Sequence, residues 1–400
     1  MIGGLSSVDV VLVLLLLGYA ISGYRQGLLV SALSLAGFLA GGALGLWLLP
    51  VVLRGWQPGA PSLVHTVVLV LGVFLSASVG QGIAVRTGAS LRSALRLGPV
   101  KALDSLLGAL AVAVAVSVLL WFVADAVRSA APAPLGRAIG QSRVLQAINA
   151  VVPQQTAQLF QGFRSILDRE GFPEVFSGIR AEPITPVAPP ANGVVGSAGV
   201  ARAARSVVKV VGQASCERVQ EGSGWVLARQ RVVTNAHVVA GVRTPSVRVG
   251  GVGHAYPATV VVFDPRRDLA VLAVPGLPAK PLPLGGSLRR GDGAVVAGFP
   301  LDGPYRLRAA RVRDVLEASG TDIYGRTGTV RSIYSLYTKV QSGSSGGPLL
   351  SPSGRVVGVV FARSVDDERT GYALTLAEAR PVIDHAGRSV PVSSGACAAA

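Results

Sequence analysis

Four long apolar stretches fill the first 130 residues, and they limit the fold of this part of the chain more than any other feature. A transmembrane helix needs about 17–25 mostly apolar residues. Four stretches reach this length: residues 8–24, 27–53, 63–85 and 106–127. No Lys or Arg precedes the first stretch and further spans follow it, which argues against a cleaved signal peptide. We therefore predict an all-α domain with four membrane spans over residues 1–130.

Basic residues near the spans predict the orientation of this domain. Five of them lie in the turn between the first two spans or in the turn between the last two: Arg25, Arg86, Arg92, Arg96 and Lys101. The remaining membrane loop holds only Arg54. Because Lys and Arg are enriched in cytoplasmic loops, both chain termini should lie outside. The prediction is a multi-pass protein of the inner (plasma) membrane, with everything after residue 127 in the periplasm or outside the cell.

The charge of the chain raises the question of nucleic-acid binding. The net charge is +16 at pH 7, from 37 basic and 21 acidic residues. Residues 196–400 contribute +11 of it, from 25 basic and 14 acidic residues. No basic helix interleaved with aromatic residues and no RNA-binding signature accompanies this excess. We therefore expect no nucleic-acid partner, and assign the charge to a solvated surface or to attraction by anionic lipid headgroups or cell wall.

Residues 131–195 predict a connector of two short helices followed by a linker. Apolar residues recur at helical spacing over residues 139–148 and 159–167, with Pro153 between the two segments. The proline-rich residues 183–193 cannot continue a helix and predict an extended linker. The helices could lie on the membrane, on the following domain or against a second copy, and the sequence does not choose among these.

Residues 196–400 change to short Val-rich segments separated by Gly, Pro and Asp turns. These segments are residues 207–211, 224–227, 231–234, 258–263, 270–274, 294–298, 356–361 and 372–375. Many short strands with few helices are typical of an all-β barrel or sandwich. The region is long enough for a pair of six-stranded barrels, so we predict an all-β domain with a double β-barrel.

Three motifs in this region carry side chains suited to acyl transfer. In chain order they are Thr-Asn-Ala-His237-Val-Val, Asp268-Leu-Ala-Val-Leu and Gly343-Ser-Ser345-Gly-Gly-Pro. Acyl transfer needs a hydroxyl nucleophile, an imidazole that takes its proton and a buried carboxylate that orients the imidazole. It also needs backbone N–H groups that converge on an oxyanion, which a glycine-rich turn permits.

The order and flanking residues of these motifs resemble the trypsin-like serine proteases, especially the branch of the high-temperature-requirement proteases. The resemblance covers about residues 200–385 and implies a chymotrypsin-like fold. It implies that His237 is the general base and acid, Asp268 its orienting carboxylate and Ser345 the nucleophile. It further implies an oxyanion hole made by the N–H groups of Gly343 and Ser345. Such a serine endopeptidase works without a metal or another cofactor, so we expect neither.

Other residues compete for two of these roles. Asp264 is a second candidate carboxylate, but Pro265 follows it in place of the Leu-Ala-Val sequence. Ser342 and Ser344 are alternative nucleophiles, but only Ser345 has the flanking glycines of the motif. Ser344 also departs from the family, in which Asp often precedes the nucleophile. Activation by burial of a freshly cut N-terminal ammonium group is therefore not expected.

The same resemblance implies candidate substrate-binding residues. Lys339 precedes the nucleophile by six residues and would lie near the wall of the P1 pocket, where it would favour an acidic side chain. On a strand, however, the neighbouring Val340 could point inward instead, so the P1 preference stays open. The substrate backbone is expected to pair with Phe361, Ala362 and Arg363.

The chain has only two cysteines, Cys216 and Cys397, and both lie in the β-rich half. Two unrelated buried thiols are one interpretation. A single disulfide bridge is the better interpretation for an exported domain, and it agrees with the orientation predicted from the basic residues.

The first span carries loose motifs, Asp9-Val-Val-Leu-Val and Gly23-Tyr-Arg-Gln-Gly27, which resemble the colicin-V-production family of four-span membrane proteins. Together with the connector, the trypsin-like domain over residues 196–400 and the late cysteine, they make the whole chain resemble the actinobacterial acid-resistance membrane serine proteases (MarP type). That resemblance implies a role in acid and oxidative stress resistance and in maintenance of the cell envelope. It implies protein or peptide substrates, cell-wall hydrolases among them, and a lipid bilayer as partner. A membrane scaffold or transporter whose outer domain only binds peptides is the competing interpretation, and the intact set of motifs favours an enzyme.

Overall fold

A computed structural model describes residues 6–52, 63–93, 98–130, 133–151, 175–176, 178, 180–216 and 218–398. The chain divides into two compact units, Met1–Trp121 and Phe122–Ala400. The described part of the first unit is helical, and that of the second is mainly β. Arg54, Arg96 and the second amphipathic segment of the connector (residues 159–167) lie outside the described residues.

The apolar stretches at the start of the chain form long helices, as predicted. The described helices here are α1 (Ser7–Val52), α2 (Leu63–Ser93) and α3 (Gly98–Ala130). The first two predicted spans both lie in α1, which is interrupted at Gly27, where φ is 79° and ψ is 167°. Among the described residues, two helical stretches are long and apolar enough to cross a membrane, Ser7–Gly45 and Gly98–Ala124. The count of four spans stays a prediction.

A polar cluster lies at the interruption of α1. Asp104 Oδ1 accepts a hydrogen bond from the backbone N–H of Leu29 at 3.0 Å, and its Oδ2 lies 2.9 Å from Arg92 Nε. Arg92 also donates to the backbone carbonyl of Arg25. The first N–H groups of a helix lack partners within that helix, so Asp104 of α3 satisfies a donor that the break at Gly27 exposes. The cluster therefore holds the ends of α2 and α3 at the interruption of α1.

Small residues bring α1 and α2 into close contact. A methyl group added to Gly37 would lie 2.5 Å from the carbonyl oxygen of Gly80. Gly41 and Gly45, one turn further each, approach α2 in the same way at Ser76. This is the packing that the repeated Gly-x-x-x-Gly spacing favours in membrane helices.

The connector belongs to the same compact unit as the β-rich region. Its described helices are α4 (Ala133–Gly140) and α5 (Arg143–Val151). Residues 180–191 form neither helix nor strand, and a short 3-10 helix, Asn192–Gly196, ends the segment that the prolines predict to be extended. The segment lies against the β-rich region instead of running free. Thr185 Oγ1 donates to Asp314 at 3.2 Å, and Arg313 donates to the carbonyl of Thr185 at 3.1 Å. An extended proline-rich segment has no internal hydrogen bonds, so its carbonyls are available to the arginines of the neighbouring sheet.

The first half of the β-rich region forms one antiparallel sheet. Its strands are β1 (Val207–Gln213), β2 (Val219–Ala228), β3 (Arg231–Thr234), β4 (Ser246–Val249), β5 (Tyr256–Pro257), β6 (Thr259–Asp264) and β7 (Leu269–Ala273). They are hydrogen-bonded in the order β5-β4-β1-β2-β3-β7-β6. Short helices flank two of them, α6 (Ala198–Ala203) before β1 and α7 (Ala236–Val239) after β3. Among the described residues this sheet has seven strands, with β5 and β6 at its two edges, whereas the sequence predicts a six-stranded barrel here.

The second half forms a closed six-stranded barrel. Its strands are β8 (Gly293–Gly298), β9 (Arg306–Thr321), β10 (Thr327–Tyr337), β11 (Pro348–Leu350), β12 (Val356–Arg363) and β13 (Thr370–Thr375), followed by α8 (Leu376–Ile383). They pair in the order β10-β13-β12-β11-β8-β9. One buried cluster contains side chains of both sheets, including Trp225, Leu269, Val295 and Phe361. Because such a core is close-packed, it holds the loops that follow β3 and precede β7 and β11 in a fixed relation.

The predicted disulfide bridge joins Cys216 to Cys397 in the structure. The C-terminal tail that carries Cys397 is also held by hydrogen bonds. Val392 N–H donates to the carbonyl of Val260 at 2.9 Å, and Ser394 Oγ donates to the carbonyl of Val242 at 2.8 Å. The tail therefore packs along the first sheet even apart from the bridge.

Candidate active site

His237 and Asp268 lie in direct contact. His237 follows β3 in the short helix α7, and Asp268 directly precedes β7, the strand that pairs with β3. His237 Nδ1 lies 2.7 Å from Asp268 Oδ2, and the backbone N–H of His237 donates to Asp268 Oδ1 at 2.9 Å. Both carboxylate oxygens are thus used to hold one residue, which fixes the ring and directs its Nε2 away from the carboxylate.

The backbone at Asp268 adopts a left-handed conformation that side-chain-bearing residues rarely take. Its φ is 56°, and its side chain is fully buried. Asn235 Nδ2 donates to the carbonyl of Asp268 at 2.6 Å. Such a conformation persists only where the surroundings enforce it, and Asn235, two residues before His237, is one of the groups that does so.

Arg331 of β10 supports the same turn from the other sheet. Its guanidinium donates to the carbonyl of Arg266 at 2.8 Å and to that of Thr321 at 2.9 Å. Arg331 is only 2% exposed. Burial lowers the pKa of the Arg331 guanidinium, and the Asp268 carboxylate is the strongest influence that opposes this shift. Sequence reasoning missed Arg331 because no motif surrounds it.

The rival carboxylate, Asp264, has a different place. Its Oδ1 accepts the backbone N–H groups of Arg266 and Arg267 at 3.0 and 2.9 Å, and its Oδ2 lies 3.1 Å from the Arg267 guanidinium. These contacts close the turn between β6 and β7 in the manner of an Asx-turn. None of the hydrogen bonds found for the described residues joins Asp264 to His237.

The loop before β11 forms a tight turn at Gly343. Ser344 N–H donates to the carbonyl of Gln341 at 3.0 Å, and Gly343 at the third position has a φ of 86°. A positive φ at this position is the mark of a type II turn, which favours glycine. Among the hydrogen bonds of the described residues, none uses the backbone N–H of Gly343 or that of Ser345 as donor. Two neighbouring amides are therefore available to an acceptor from outside the chain.

Ser223 of β2 ties this loop to the strand that leads to His237. Its N–H donates to the carbonyl of Ser345 at 2.7 Å, and its Oγ donates to the carbonyl of Gly343 at 2.6 Å. Thr234, at the end of β3, donates in turn to the carbonyl of Ser223 at 2.7 Å. Sequence reasoning missed Ser223 because its partners in this loop, Gly343 and Ser345, lie more than a hundred residues away in the chain.

The structure therefore brings Ser345 to the same corner as His237. The described residues form no hydrogen bond between Ser345 Oγ and the imidazole. In proteins without substrate such bonds are often long and tighten only in the complex.

The candidate substrate-binding residues lie around the end of β12. Lys339 is exposed, with its Nζ 3.9 Å from Glu368 Oε2, whereas the neighbouring Val340 is 3% exposed and belongs to the core of the second barrel. Of the two alternatives, Val340 is thus the inward residue. The side chains of Phe361 and Ala362 are fully buried.

The two sides of β12 differ in how far neighbouring described strands cover them. β11 pairs with β12 only as far as Val359, and Val360 is held by Gly346 and Gly347 of the loop. Beyond Val360, no described strand pairs with β12 on this side, while β13 covers the other side as far as Arg363. Where no other strand pairs with the edge of a strand, an extended peptide can add to it by main-chain hydrogen bonds.

Known proteins resemble the chain in both of its halves. The trypsin-like peptidase domain family matches residues 222–359, and the family described as colicin V production protein matches residues 8–153. The serine protease Rv3671c of Mycobacterium tuberculosis is 35% identical over 382 residues, which cover 94% of this chain and 95% of that protein. The mitochondrial serine protease HTRA2 of Bos taurus is 33% identical over 145 residues, 35% of this chain and 31% of that protein.

A solved structure resembles the β-rich half. The crystal structure of the Rv3671c protease from M. tuberculosis in its active form has a TM-score of 0.53 and 40% sequence identity. It covers 56% of this chain and 99% of that chain. The likeness to Rv3671c thus extends through the sequence of nearly the whole chain and through the fold of its second half.

Proposed function

Because the chain belongs to the family of trypsin-like serine proteases that includes Rv3671c, we propose that it hydrolyses peptide bonds through Ser345, His237 and Asp268. Membership of this family makes the chain a serine protease with a chymotrypsin-like fold, as the motifs predict. The assignment of the individual residues is the proposal, and it rests on their geometry and on their place in the motifs.

His237 and Asp268 act as the proton carrier and its support. Asp268 Oδ2, 2.7 Å from His237 Nδ1, keeps the proton on Nδ1 and leaves Nε2 free to accept. Nε2 takes the proton of Ser345 Oγ as that oxygen attacks the substrate carbonyl. It then gives the proton to the leaving amine when the C–N bond breaks. The Asp268 carboxylate stabilises the imidazolium between these two steps.

The backbone N–H groups of Gly343 and Ser345 stabilise the negative charge of the tetrahedral intermediates. These N–H groups, which no acceptor among the described residues occupies, donate to the carbonyl oxygen as it becomes an oxyanion. Collapse of the first intermediate leaves an ester between the substrate acyl group and Ser345 Oγ. Water, deprotonated by His237, then attacks this ester and releases the acid product together with the free serine.

A single observation carries the proposal: one buried carboxylate holds both the ring and the backbone of His237, beside a turn with two uncommitted amides. A domain that only binds peptides needs neither the buried carboxylate at an imidazole nor a strained glycine turn next to a serine.

We extend the proposal to a four-span anchor. A helix of the 46 residues of α1 would be about 69 Å long, more than twice the roughly 30 Å of a bilayer core. Contacts on both sides of Gly27 favour a reversal there. After the break, the backbone N–H of Leu29 donates to Asp104 near the start of α3. Before the break, Gly23 lies against Val112, two turns further along α3, where an added methyl group would be 2.8 Å from the Val112 side chain. The first half of α1 thus runs along α3 in the opposite direction, which suits a separate span.

The remaining parts of the proposal concern place and substrate. With the basic loops in the cytoplasm, the protease domain lies in the periplasm or outside the cell, and a disulfide bridge supports such an oxidising compartment. Proteins of that compartment, cell-wall hydrolases among them, are then the substrates. The role in acid and oxidative stress comes from the family resemblance.

The test is covalent labelling with a fluorophosphonate. We expect the full chain in detergent to take up one label, on the peptide that carries Ser345. Ser345→Ala should abolish labelling and lower turnover by about a million-fold, with little change in melting temperature. Ser344→Ala is the matched control and should keep both. Labelling of Ser344 in the Ser345→Ala variant would contradict the assignment.

A further inference from the structure

Glu182, in the extended connector segment, binds both strands of a hairpin that lies 180 residues later in the chain. Ser364 Oγ and the Tyr372 hydroxyl both donate to Glu182 Oε2, the latter at 2.8 Å. Val365 N–H donates to Glu182 Oε1 at 3.4 Å. The backbone N–H of Glu182 donates to Asp366 Oδ2 at 2.8 Å. Glu182 is thus bonded to four residues of the β12–β13 hairpin.

The contacts of Glu182 lie next to the part of β12 that is expected to pair with the substrate. Ser364 directly follows Arg363, the last residue of that strand. Tyr372 is the register partner of Ala362 in β13. The Glu182 carboxylate therefore bonds the residues that directly follow 361–363 and also bonds Tyr372 of the neighbouring strand β13. Residues 361–363 are the backbone stretch expected to pair with the substrate.

The pairing of the two hairpin strands is irregular at this point, so contacts from outside the hairpin add to its stability. The pairing of β12 with β13 shifts register between Val360 and Ala362, and the loop that joins the strands contains several acidic residues. A register shift bends the strand and locally interrupts its ladder. Phe361 therefore has no register partner in β13, although Ala362 and Arg363 pair with Tyr372 and Gly371. Hydrogen bonds to an ionised carboxylate are among the stronger ones in proteins, and Glu182 receives two from side chains and one from the backbone here.

The segment that carries Glu182 is itself fixed. Phe176 packs edge-on against the Tyr372 ring, with 5.7 Å between centroids. At the other end, Arg290 donates to the carbonyl of Pro186 at 3.1 Å. Burial, with the adjacent Glu182 carboxylate, raises the pKa of the Tyr372 hydroxyl well above its usual value. The Tyr372 hydroxyl is therefore protonated at neutral pH and can donate to Glu182.

We propose that Glu182 is a positioning residue for catalysis: it holds the edge of β12 at residues 361–363 in the form that pairs with an extended peptide. The proposal rests on the proposed function. It means that the protease depends on a residue upstream of the β-rich region. It also means that Glu182 matters only for substrates long enough to reach the β12 edge.

The experiment compares two substrates with the full chain in detergent. One is a small ester with a single acyl residue, and the other is a peptide with four residues before the scissile bond. In Glu182→Gln, the amide keeps the shape of the side chain but turns one acceptor oxygen into an NH₂ that faces another donor. We expect kcat/KM for the peptide to fall about 10- to 100-fold, mostly through KM, and that for the ester to change less than about threefold.

Two further variants separate positioning from general stability. Arg290→Ala removes another bond of the same segment, at Pro186, and should leave the ratio of peptide to ester activity unchanged. Tyr372→Phe removes only the hydroxyl that donates to Glu182, and should lower the peptide activity in the same direction. The effects of Glu182→Gln and Tyr372→Phe should not add in the double variant, because the two groups share one interaction. If Glu182→Gln fails to fold, Tyr372→Phe alone decides.

The possible failures can be told apart. A wild-type chain that cleaves neither substrate would contradict the proposed function. Equal losses for the ester and the peptide in Glu182→Gln, or an unchanged ratio in Tyr372→Phe, would show that Glu182 has only a structural role and would overturn this inference.

Discussion

At the scale of single residues, the backbone conformation and surroundings of Gly343 leave no room for a side chain. Its φ of 86° lies in the left-handed region, and a methyl group there would collide with the carbonyl oxygen of Phe299. We expect Gly343→Ala to turn the amide of residue 343 away from the oxyanion and to lower kcat by about 100- to 1,000-fold. The assay is peptide hydrolysis, with circular dichroism as the measure of folding.

The control for this substitution is Gly328→Ala. Gly328 has a φ of 87°, and a methyl group there would meet no atom within 4 Å. It therefore causes the same backbone strain without the collision and away from the turn. If the two variants lose the same activity, strain and not the oxyanion hole explains the effect of Gly343→Ala.

Residues of the site differ in how well the sequence predicts them. His237, Asp268 and Ser345 could be found because each stands in a short motif whose neighbours shape the local turn. Ser223 and Arg331 could not, because no motif surrounds them and because they bond the carbonyls of Gly343 and Arg266, which lie 120 and 65 residues away. The sequence leaves open whether Lys339 or Val340 faces inward for a related reason. Only the packed core of the barrel shows which of the two side chains is buried.

At the scale of elements, the bridge between Cys216 and Cys397 joins the C-terminal tail to the first sheet. Closing a loop with a separation of 181 residues stabilises the folded state by at most about 5 kcal/mol through chain entropy. The hydrogen bonds of Val392 and Ser394 hold the tail independently. We therefore expect reduction to lower the melting temperature without unfolding the domain at room temperature, as measured by calorimetry with and without reductant.

The matched control is the double variant Cys216→Ser/Cys397→Ser, whose melting temperature should not respond to reductant. Mass spectrometry under non-reducing conditions should find the two cysteine peptides linked in the exported wild type. Two thiols that alkylate without prior reduction would contradict the bridge.

The elements also show where sequence patterns are insufficient. Proline spacing predicts that residues 183–193 are extended. Residues 183–191 form neither helix nor strand, but Asn192 and Gly193 begin a short 3-10 helix, Asn192–Gly196. The spacing does not predict that the segment lies on the sheet, because that depends on Arg290, just before β8, and Arg313 of β9, which reach its carbonyls. Val-rich segments between turns predict eight of the thirteen described strands. They do not predict β4, β5 and β11, which are short, or β9 and β10, which mix their apolar residues with Arg, Ser, Thr and Gly.

At the scale of the whole molecule, the chain joins an apolar helical unit to a protease unit. The boundary between the two compact units lies between Trp121 and Phe122, within the last predicted span. The connector helices α4 and α5 thus belong with the protease unit. Periodicity could not assign them, because an amphipathic face indicates that a partner exists without indicating which one.

Whether the membrane unit has four spans or two determines which of its loops are accessible from outside the cell. Three single cysteines probe it, in a chain whose own cysteines are bridged: Gln57→Cys, Ser93→Cys and Val252→Cys. With four spans, a membrane-impermeant maleimide on intact spheroplasts should label positions 57 and 252 and spare position 93. Ser93 lies on the side of Arg25 and Arg92, which the excess of basic residues assigns to the cytoplasm. Labelling of position 93 would reverse the orientation. Protection of position 57, with labelling of position 252, would leave only the two spans Ser7–Gly45 and Gly98–Ala124, because α1 would then cross the bilayer once despite its break at Gly27.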